Sequence, residues 1–464
     1  MTMEFDLNGK RHTVADTPQL LIDWLRTAQQ QTGTKAACRE GDCGSCQVLV
    51  KEPGLDHHFR AQPGCLIRVQ DLHQCQVLTI EGLLRPDAKP HPLVMLFTEE
   101  GAGQCGFCSP ALIMASLNWL LHGPALTPEE GEAWLNGNLC RCTGYMGQRR
   151  AIVQIASRWA TALLASTDRQ TTLIALDLLP PYAAIPPCWH STRPTISEET
   201  PEVSIVLGGG TDLYLERPLN QLTQAVPCSS GKLQPPFKEH NGEIWLNAQW
   251  PIQALADALL AQKQLPFFSR FNFLFASLPV RNRATLGGNL AHASPIGDAM
   301  TLMMALNATL HTNRRSIPVQ HLITGFKQTC LAAGELIEWI ALPPEVGVSY
   351  IHFDKVSRRS TTDIAALNCA GCWHVENSRV TRVRLVIGGA SPCPLRLPEL
   401  EKQFIGLPPD ALCPDPTPWL KAALSPRTDH RGSESYRFLL AKQLILAQWD
   451  ALKQLTSAGS EVTP

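Results

Sequence analysis

The chain lacks any strong excess of charge. It has 40 basic and 41 acidic residues, for a net charge of −1, so nothing in its electrostatics argues for nucleic acid or an anionic membrane as partner. It also lacks an apolar run of about eighteen residues, which excludes a membrane-spanning helix. The opening residues, Met1-Thr-Met-Glu-Phe-Asp6, carry neither the charged nor the apolar region of a secretion signal. No G-x-G-x-x-G follows a strand, so the usual dinucleotide fingerprint is missing.

What is present is cysteine. There are sixteen in 464 residues, and the N-terminal third gathers eight of them into two iron–sulfur signatures. The first, Cys38-Arg-Glu-Gly-Asp-Cys43-Gly-Ser-Cys46, has the plant-type [2Fe–2S] spacing, which calls for a fourth cysteine further along. Gly41 and Gly44 let the backbone curl with its N–H groups aimed at sulfur. Two cysteines compete for fourth ligand. Cys65 lies in a turn context, Gln-Pro-Gly-Cys-Leu, whereas Cys75 lies in an alternating, strand-like stretch, Gln-Cys-Gln-Val-Leu-Thr-Ile. The turn favours Cys65. The competing reading of this signature is a zinc knuckle, which prefers paired C-x2-4-C units.

The second signature is split between Cys105-Gly-Phe-Cys108 and Cys140-Arg-Cys142. Pro110 marks a helix start after Cys108, and Ala111 to Leu121 is strongly apolar. The dipole there favours thiolate. Thr127-Pro-Glu-Glu130 reads as a capping box opening a second helix that stops at Gly137. Two antiparallel helices thus bring two cysteine pairs to one end. A zinc site is again the competing reading. Cluster thiolates must be reduced when metal arrives, which fits a cytoplasmic protein.

Composition changes after residue 160. A loop-like stretch with Pro180, Pro181, Pro186, Pro187 and Pro194 links to the remainder. Ser204 to Leu207 reads as a buried strand running into Gly208-Gly-Gly-Thr-Asp212. Thr285-Leu-Gly-Gly-Asn-Leu290 forms a second glycine loop, before Ala293-Ser-Pro-Ile-Gly-Asp298. Glycines after a strand can aim N–H groups at phosphate, although a glycine turn after a strand is ordinary. On residues alone, Asp298 reads as a helix N-cap and Lys355 as a solvated charge. Arg382 to Ala390 reads as a strand leading to a glycine turn, and Cys369-Ala-Gly-Cys372 as two small buried residues rather than a metal site. A helix from about Glu434 to Leu455 closes the chain, with Leu439, Leu440, Leu444 and Leu446 on its apolar side.

These motifs resemble the iron–sulfur and FAD part of the xanthine dehydrogenase family of molybdenum hydroxylases. The resemblance rests on Gln104-Cys-Gly-Phe-Cys108, on Gly137-Asn-Leu-Cys-Arg-Cys-Thr-Gly-Tyr145, and on Pro63-Gly-Cys65 through Thr79-Ile-Glu-Gly82. It implies an α+β multidomain chain. A β-grasp ferredoxin-like domain would cover 1–84 and a helical bundle [2Fe–2S] domain 85–160, with a linker over 161–199. A vanillyl-alcohol-oxidase-type FAD domain would cover 200–344 and an α/β C-terminal subdomain 345–464.

The family's spacing back from Glu81-Gly82 falls on Cys65, so the resemblance implies one cluster on Cys38, Cys43, Cys46 and Cys65. The other falls on Cys105, Cys108, Cys140 and Cys142. FAD would be held by Val206, Leu207, Gly208, Gly209, Gly210, Thr211, Asp212, Leu213, Phe275, Ala276, Val280, Thr285, Gly288, Asn289, Asp298, Ile337 and Lys355. The resemblance extends to no molybdopterin domain, so that domain is expected on a separate chain. The implied role is that of the electron-transfer subunit of a xanthine dehydrogenase, with no substrate-hydroxylating residue of its own. Electrons would pass from molybdenum on a large molybdopterin-binding subunit through both clusters to FAD and on to NAD. The assembly implied is a heterotetramer of two small and two large chains, with Gln104 and Cys142 beside the pterin. There is one departure: Arg358-Arg-Ser-Thr-Thr-Asp363 lacks the family's acidic residues near the flavin, which leaves the acceptor open. Another molybdenum hydroxylase, for an aldehyde or N-heterocycle, and a stand-alone NAD(P)H-linked flavin reductase are the alternatives.

Overall fold

A computed structural model describes residues 2–15, 18–55, 58–85, 87–185, 205–222, 225–227, 234–359 and 361–457. Ser204, Pro186, Pro187 and Pro194 lie outside the described residues. The chain forms two compact units. The first takes Met1–Glu198, Gly210–Pro227 and Ser277–Arg283; the second takes Glu199–Gly209, Cys228–Ala276 and Ala284–Pro464.

The first unit opens with the hairpin β1 (Thr2–Leu7) and β2 (Lys10–Ala15). Asn8 and Gly9 turn it with φ of 52° and 79°, the positive values a tight hairpin turn requires. Helix α1 (Leu21–Thr27) buries Leu21, Ile22, Trp24 and Leu25. The strands β3 (Gln47–Lys51), β4 (Arg60–Pro63) and β5 (Gln76–Leu78) complete a mixed sheet of order β2-β1-β5-β3-β4, in which β1 and β5 are parallel. Phe5, Leu7, Leu25, Val48, Ile67 and Val77 form its core.

Five helices follow: α2 (Pro92–Glu99), α3 (Ser109–His122), α4 (Pro128–Leu135), α5 (Met146–Leu164) and α6 (Arg169–Ala175). Every residue of α3 from Ala111 to Leu121 is buried, as an all-round apolar helix must be. Thr127 caps α4, its Oγ1 accepting from Glu130 N at 3.3 Å. The Glu130 carboxylate departs from the box geometry. It accepts from Leu126 N (2.6 Å) and from Trp119 Nε1 (3.0 Å), and so ties α4 to α3.

The second unit contains two larger sheets among the described residues. In the first, β6 (Phe237–His240), β7 (Glu243–Asn247), β8 (Thr309–Thr312), β9 (Ser316–Pro318) and β10 (Ile337–Leu342) run in the order β9-β8-β10-β7-β6, all antiparallel. Between β7 and β8 come the helices α7 (Ile252–Ala261), α8 (Phe267–Leu274), α9 (Leu286–His292) and α10 (Asp298–Ala305).

The other sheet, of order β11-β12-β13-β14, is antiparallel, with β11 (Tyr350–Val356), β12 (Leu367–Glu376), β13 (Arg379–Gly388) and β14 (Leu395–Arg396). Helix α11 (Glu434–Ser457) packs on it through Ala441, Ile445, Trp449 and Leu452. Of the leucines expected on its apolar side, Leu440 and Leu444 pack against this core, whereas Leu439 is 54% exposed. Cys369 and Cys372 are both buried on β12, and three residues along a strand puts them on opposite faces. No helix among the described residues is long and apolar enough to cross a membrane.

Candidate functional site

The first cysteine loop lies between α1 and β3. Arg39, Gly41 and Gly44 have φ of 62°, 76° and 69°, so the chain winds tightly between Cys38 and Cys46. The N–H groups of Glu40 and Cys43 both point at Cys38 Sγ, at 3.4 Å. Cys65 comes from a single 3-10 turn, Gly64–Leu66, after β4. The thiols gather in two pairs. Cys38 donates to Cys43, which lowers Cys43 to about 5 and raises Cys38. Cys65 donates to Cys46, with Cys46 lowered and Cys65 raised. Cys75 is buried elsewhere, in the β-sheet core, with its thiol directed at His73 O.

The second set forms at the start of α3 and in the loop after α4. Gly106, Gly144 and Tyr145 have φ of 77°, 62° and 66°. Cys140 N donates to the Tyr145 phenol oxygen at 3.1 Å, and Cys140 Sγ lies 3.1 Å from Thr143 Oγ1. Again there are two pairs. Cys105 is lowered by the Phe107 N–H and by the Cys142 thiol, which is itself raised. Cys108 is pushed up to about 12, first by burial and then by donating to Cys140. Burial opposes ionisation of Cys140, but the Thr143 hydroxyl, neighbouring N–H groups and Cys108 outweigh it and lower its value. Cys105 and Cys142 are exposed, whereas Cys108 and Cys140 are buried. Phe107, Tyr145 and Met146 are exposed beside them.

Among the described residues no three His, Cys, Asp or Glu side chains converge on a single-ion position. Two thiol pairs instead of one tetrahedral quartet suit a two-iron core bound by four thiolates. The two sets adjoin. Leu139 N donates to Cys43 O at 3.0 Å, and Asn138 Nδ2 to Gly44 O at 3.2 Å. A Cβ on Gly44 would sit 2.5 Å from Gly137 O, so glycine is needed for this approach.

The expected flavin residues divide. Gly210, Thr211, Asp212, Leu213 and Val280 belong to the first unit; the others belong to the second. Within the second unit the strand before the glycines is short, Val206–Leu207 only. The second glycine loop is in fact helical: Thr285 is the N-cap of α9 and accepts from Gly288 N at 3.0 Å. Gly208 approaches that cap so closely that a Cβ would lie 2.4 Å from Thr285 Oγ1. Asn289 Oδ1 accepts from Ala299 N at 3.2 Å, joining α9 to α10. Phe275 is buried, and Ala276 holds a φ of 41°, a conformation that costs a non-glycine residue energy. Ile337 is buried on β10 opposite Thr312.

Lys355 and Asp298 are the largest surprise against the plain residue reading. Asp298 is the first helical residue of α10, not its cap, and Lys355 is buried. Lys355 Nζ donates to Asp298 Oδ2 (2.7 Å) and to Leu274 O (3.1 Å), beside Phe275. Asn368 Nδ2 donates to Asp298 Oδ1 at 2.7 Å, and Thr301 Oγ1 to Asn368 Oδ1 at 2.9 Å. Asn368 was not a sequence candidate. Its only signal was an amide inside an apolar strand. The glycine cradle, its hydroxyl and amide donors, and the buried cation fit a phosphorylated, polar cofactor.

Four family profiles tile the chain. Residues 5–70 match a 2Fe-2S iron-sulfur cluster binding domain and 79–153 a [2Fe-2S] binding domain. Residues 195–345 match the FAD binding domain in molybdopterin dehydrogenase, and 352–452 the CO dehydrogenase flavoprotein C-terminal domain. Together these matches fit the iron–sulfur and flavin portion of a molybdenum hydroxylase. Among individual proteins it is similar to xanthine dehydrogenases. Xanthine dehydrogenase/oxidase of Felis catus is 28% identical over 78% of this chain and 32% of its own length. Xanthine dehydrogenase of Dictyostelium discoideum is 27% identical over 87% and 37%. The chain therefore spans about a third of the length of these relatives. A solved carbon monoxide dehydrogenase from Hydrogenophaga pseudoflava is 24% identical, covers 53% of this chain and 89% of that one, and superposes with a TM-score of 0.49.

Proposed function

We propose that this chain is the electron-transfer subunit of a xanthine dehydrogenase and stands between a molybdopterin-binding partner and NAD. Cys38, Cys43, Cys46 and Cys65 hold one [2Fe–2S] centre, and Cys105, Cys108, Cys140 and Cys142 the other. The flavin loops hold FAD. When bound, the clusters carry single electrons and FAD exchanges one- and two-electron steps.

The observation that carries this reading is the hydrogen bond from Leu139 N to Cys43 O. It joins the residue before Cys140 to a cysteine of the other set, which supports two four-cysteine sites side by side. The protein's own work is positional. Positive-φ residues wind N–H groups toward Cys38, and α3 with the Thr143–Gln148 pair fixes the second loop. The exposed Cys105–Cys142 edge, with Gln104 and Phe107, is the face offered to the partner, where Gln104 and Cys142 stand beside the pterin. Hydroxylation of hypoxanthine or xanthine takes place on that larger subunit, in a cytoplasmic assembly of two small and two large chains. The arginines of the departing segment are engaged within the second unit. Arg359 pairs with Asp363, and Arg358 donates to His430 O. The missing acid therefore does not leave a free cation on Arg359, and NAD remains the proposed acceptor.

The test is to isolate the complex from its native source and assay Gln104→Ala in it. A molybdenum-containing larger chain should co-purify. Xanthine-dependent cluster reduction should slow while NADH-to-dye activity stays near normal. An isolated chain that hydroxylates xanthine unaided, or equal loss of both activities, would refute the reading.

A further inference from the structure

In the first unit a single buried carboxylate gathers a neighbouring arginine and side chains from two distant stretches. Asp71 Oδ1 accepts from Arg68 Nε (3.1 Å) and Nη2 (2.8 Å). Its Oδ2 accepts from Arg283 Nη2 at 2.6 Å and from the Tyr214 hydroxyl at 2.5 Å. Arg68 continues to the carbonyls of Leu222 (2.5 Å) and Ala225 (3.1 Å). Arg283 reaches Gln62 Oε1 at 3.4 Å, and Gln62 donates to Glu52 at 2.7 Å. Two guanidinium groups thus face Asp71 within the iron–sulfur unit.

The partners matter because of what adjoins them. Tyr214 N donates to Gly210 O at 3.0 Å, and a Cβ on Gly210, which has φ of 72°, would lie 2.5 Å from the Tyr214 ring. The ring therefore fixes the shape of Gly210–Leu213. Arg283 N donates to Val280 O at 3.0 Å, and Asn282 Nδ2 to Ala61 O at 2.8 Å. Arg283 stands two residues before Thr285 in the sequence. One carboxylate, placed by the 3-10 turn Val69–Leu72, therefore holds the end of the first glycine loop and the turn from Val280 to Arg283.

We infer that Asp71 is a positioning residue for the flavin. Acting through Tyr214 and Arg283, it sets the backbone of Gly210–Leu213 and of Val280 so that their N–H groups are organised before FAD arrives. This rests on the FAD reading given above. Preorganised donors spare a ligand the cost of ordering them. No residue of the cysteine sets takes part, so cluster loading should be independent of it.

The test uses the full chain, stripped of flavin and titrated with FAD, with flavin fluorescence as the signal. Iron content and cluster EPR are read in the same samples. Tyr214→Phe keeps the ring over Gly210 but removes the hydroxyl, and should weaken FAD binding several-fold. Asp71→Asn removes the charge that two guanidiniums share and should weaken it about tenfold or more, the scale of a hydrogen bond to a charged group. Asp71→Glu should recover part of the affinity, and iron and EPR should stay at wild-type values throughout. Unchanged FAD affinity in Tyr214→Phe and Asp71→Asn, on a wild type that binds FAD, overturns this inference alone. Loss of iron in step with FAD also overturns it, because it marks a purely structural role. A wild type that takes up no FAD overturns the proposed function and this inference with it. Should Asp71→Asn fail to fold, Tyr214→Phe decides.

Discussion

The contact between Gly208 and Thr285 makes a sharp prediction. In Gly208→Ala the new methyl would fall 2.4 Å from Thr285 Oγ1, well inside any tolerated separation. Thr285 has little freedom to move away. It is buried, its backbone bridges to Pro251, and its Oγ1 is engaged as the cap of α9, accepting from Gly288 N. Making room means turning the hydroxyl off the cap. Loss of a threonine N-cap costs about 1 kcal/mol, within a range of roughly 0.5–2, or about fivefold in an equilibrium constant. The methyl's other neighbours, Gly288 Cα at 3.5 Å and N at 3.6 Å, are ordinary contacts, so little further cost is expected. Thr285→Ala should lose the same cap. The double variant should then cost about as much as Thr285→Ala alone, roughly 1 kcal/mol less than the sum, because the two changes remove one interaction. Urea denaturation of the flavin-free chain reads the cap without reference to the cofactor, and FAD titration reads its effect on binding. Additive penalties, or a Gly208→Ala chain as stable as wild type, would refute the reasoning.

Three further outcomes are expected. Cys65→Ser should lower iron from about four to about two per chain, since hydroxyl is a poor ligand for iron–sulfur cores, while Cys75→Ser should keep full iron; the reverse result in iron analysis would move the fourth ligand. Lys355→Met leaves the Asp298 carboxylate buried beside Asn368 without its cation, which should cost about 3–5 kcal/mol, seen as a lower melting temperature with depleted flavin; an unchanged melt would contradict the buried pair. Glu335 is held at about 2, chiefly by the Arg315 guanidinium and against the effect of burial, with help from the Ala332 N–H and the Thr312 hydroxyl. A lowered carboxylate contributes stability that is present above its ordinary 4.5 and lost as pH falls toward 2. Glu335→Gln should therefore lower the urea midpoint at pH 7 and do so less at pH 4; an equal gap at both would show the carboxylate is not the source.

The gathering of the cysteines into two sets was legible because its signals are local. Spacing, glycines and the proline at the start of α3 lie within a few residues of the thiols they serve. Helix α11 was legible in extent and in part in facing. Leu440 and Leu444 do pack against the core, but its centre is Ala441, Ile445, Trp449 and Leu452, at spacings of four, four and three residues. Leucine identity alone misplaced Leu439, where that periodicity would not. Thr285 was read within a loop because two glycines follow it, and glycines weaken a helix signal; the cap and the packing of α9 prevail. Lys355, Asp298 and Asn368 were unreadable as a group from the residues themselves. Their contacts span 57 and 70 residues, and nothing in a buried cation's immediate neighbours announces its partner.

Each unit is assembled from three separate stretches of chain, and this sets a timetable for synthesis. Asp71 and Arg283 are 212 residues apart. At about 5–20 residues per second on the ribosome, the carboxylate emerges roughly ten to forty seconds before its second guanidinium exists. Through that interval the N-terminal portion can form its sheet and helices, but the Asp71 cluster must remain open to water. Final closure of the iron–sulfur unit thus waits until much of the flavin portion has been translated, and a chain cut near residue 200 would never complete it.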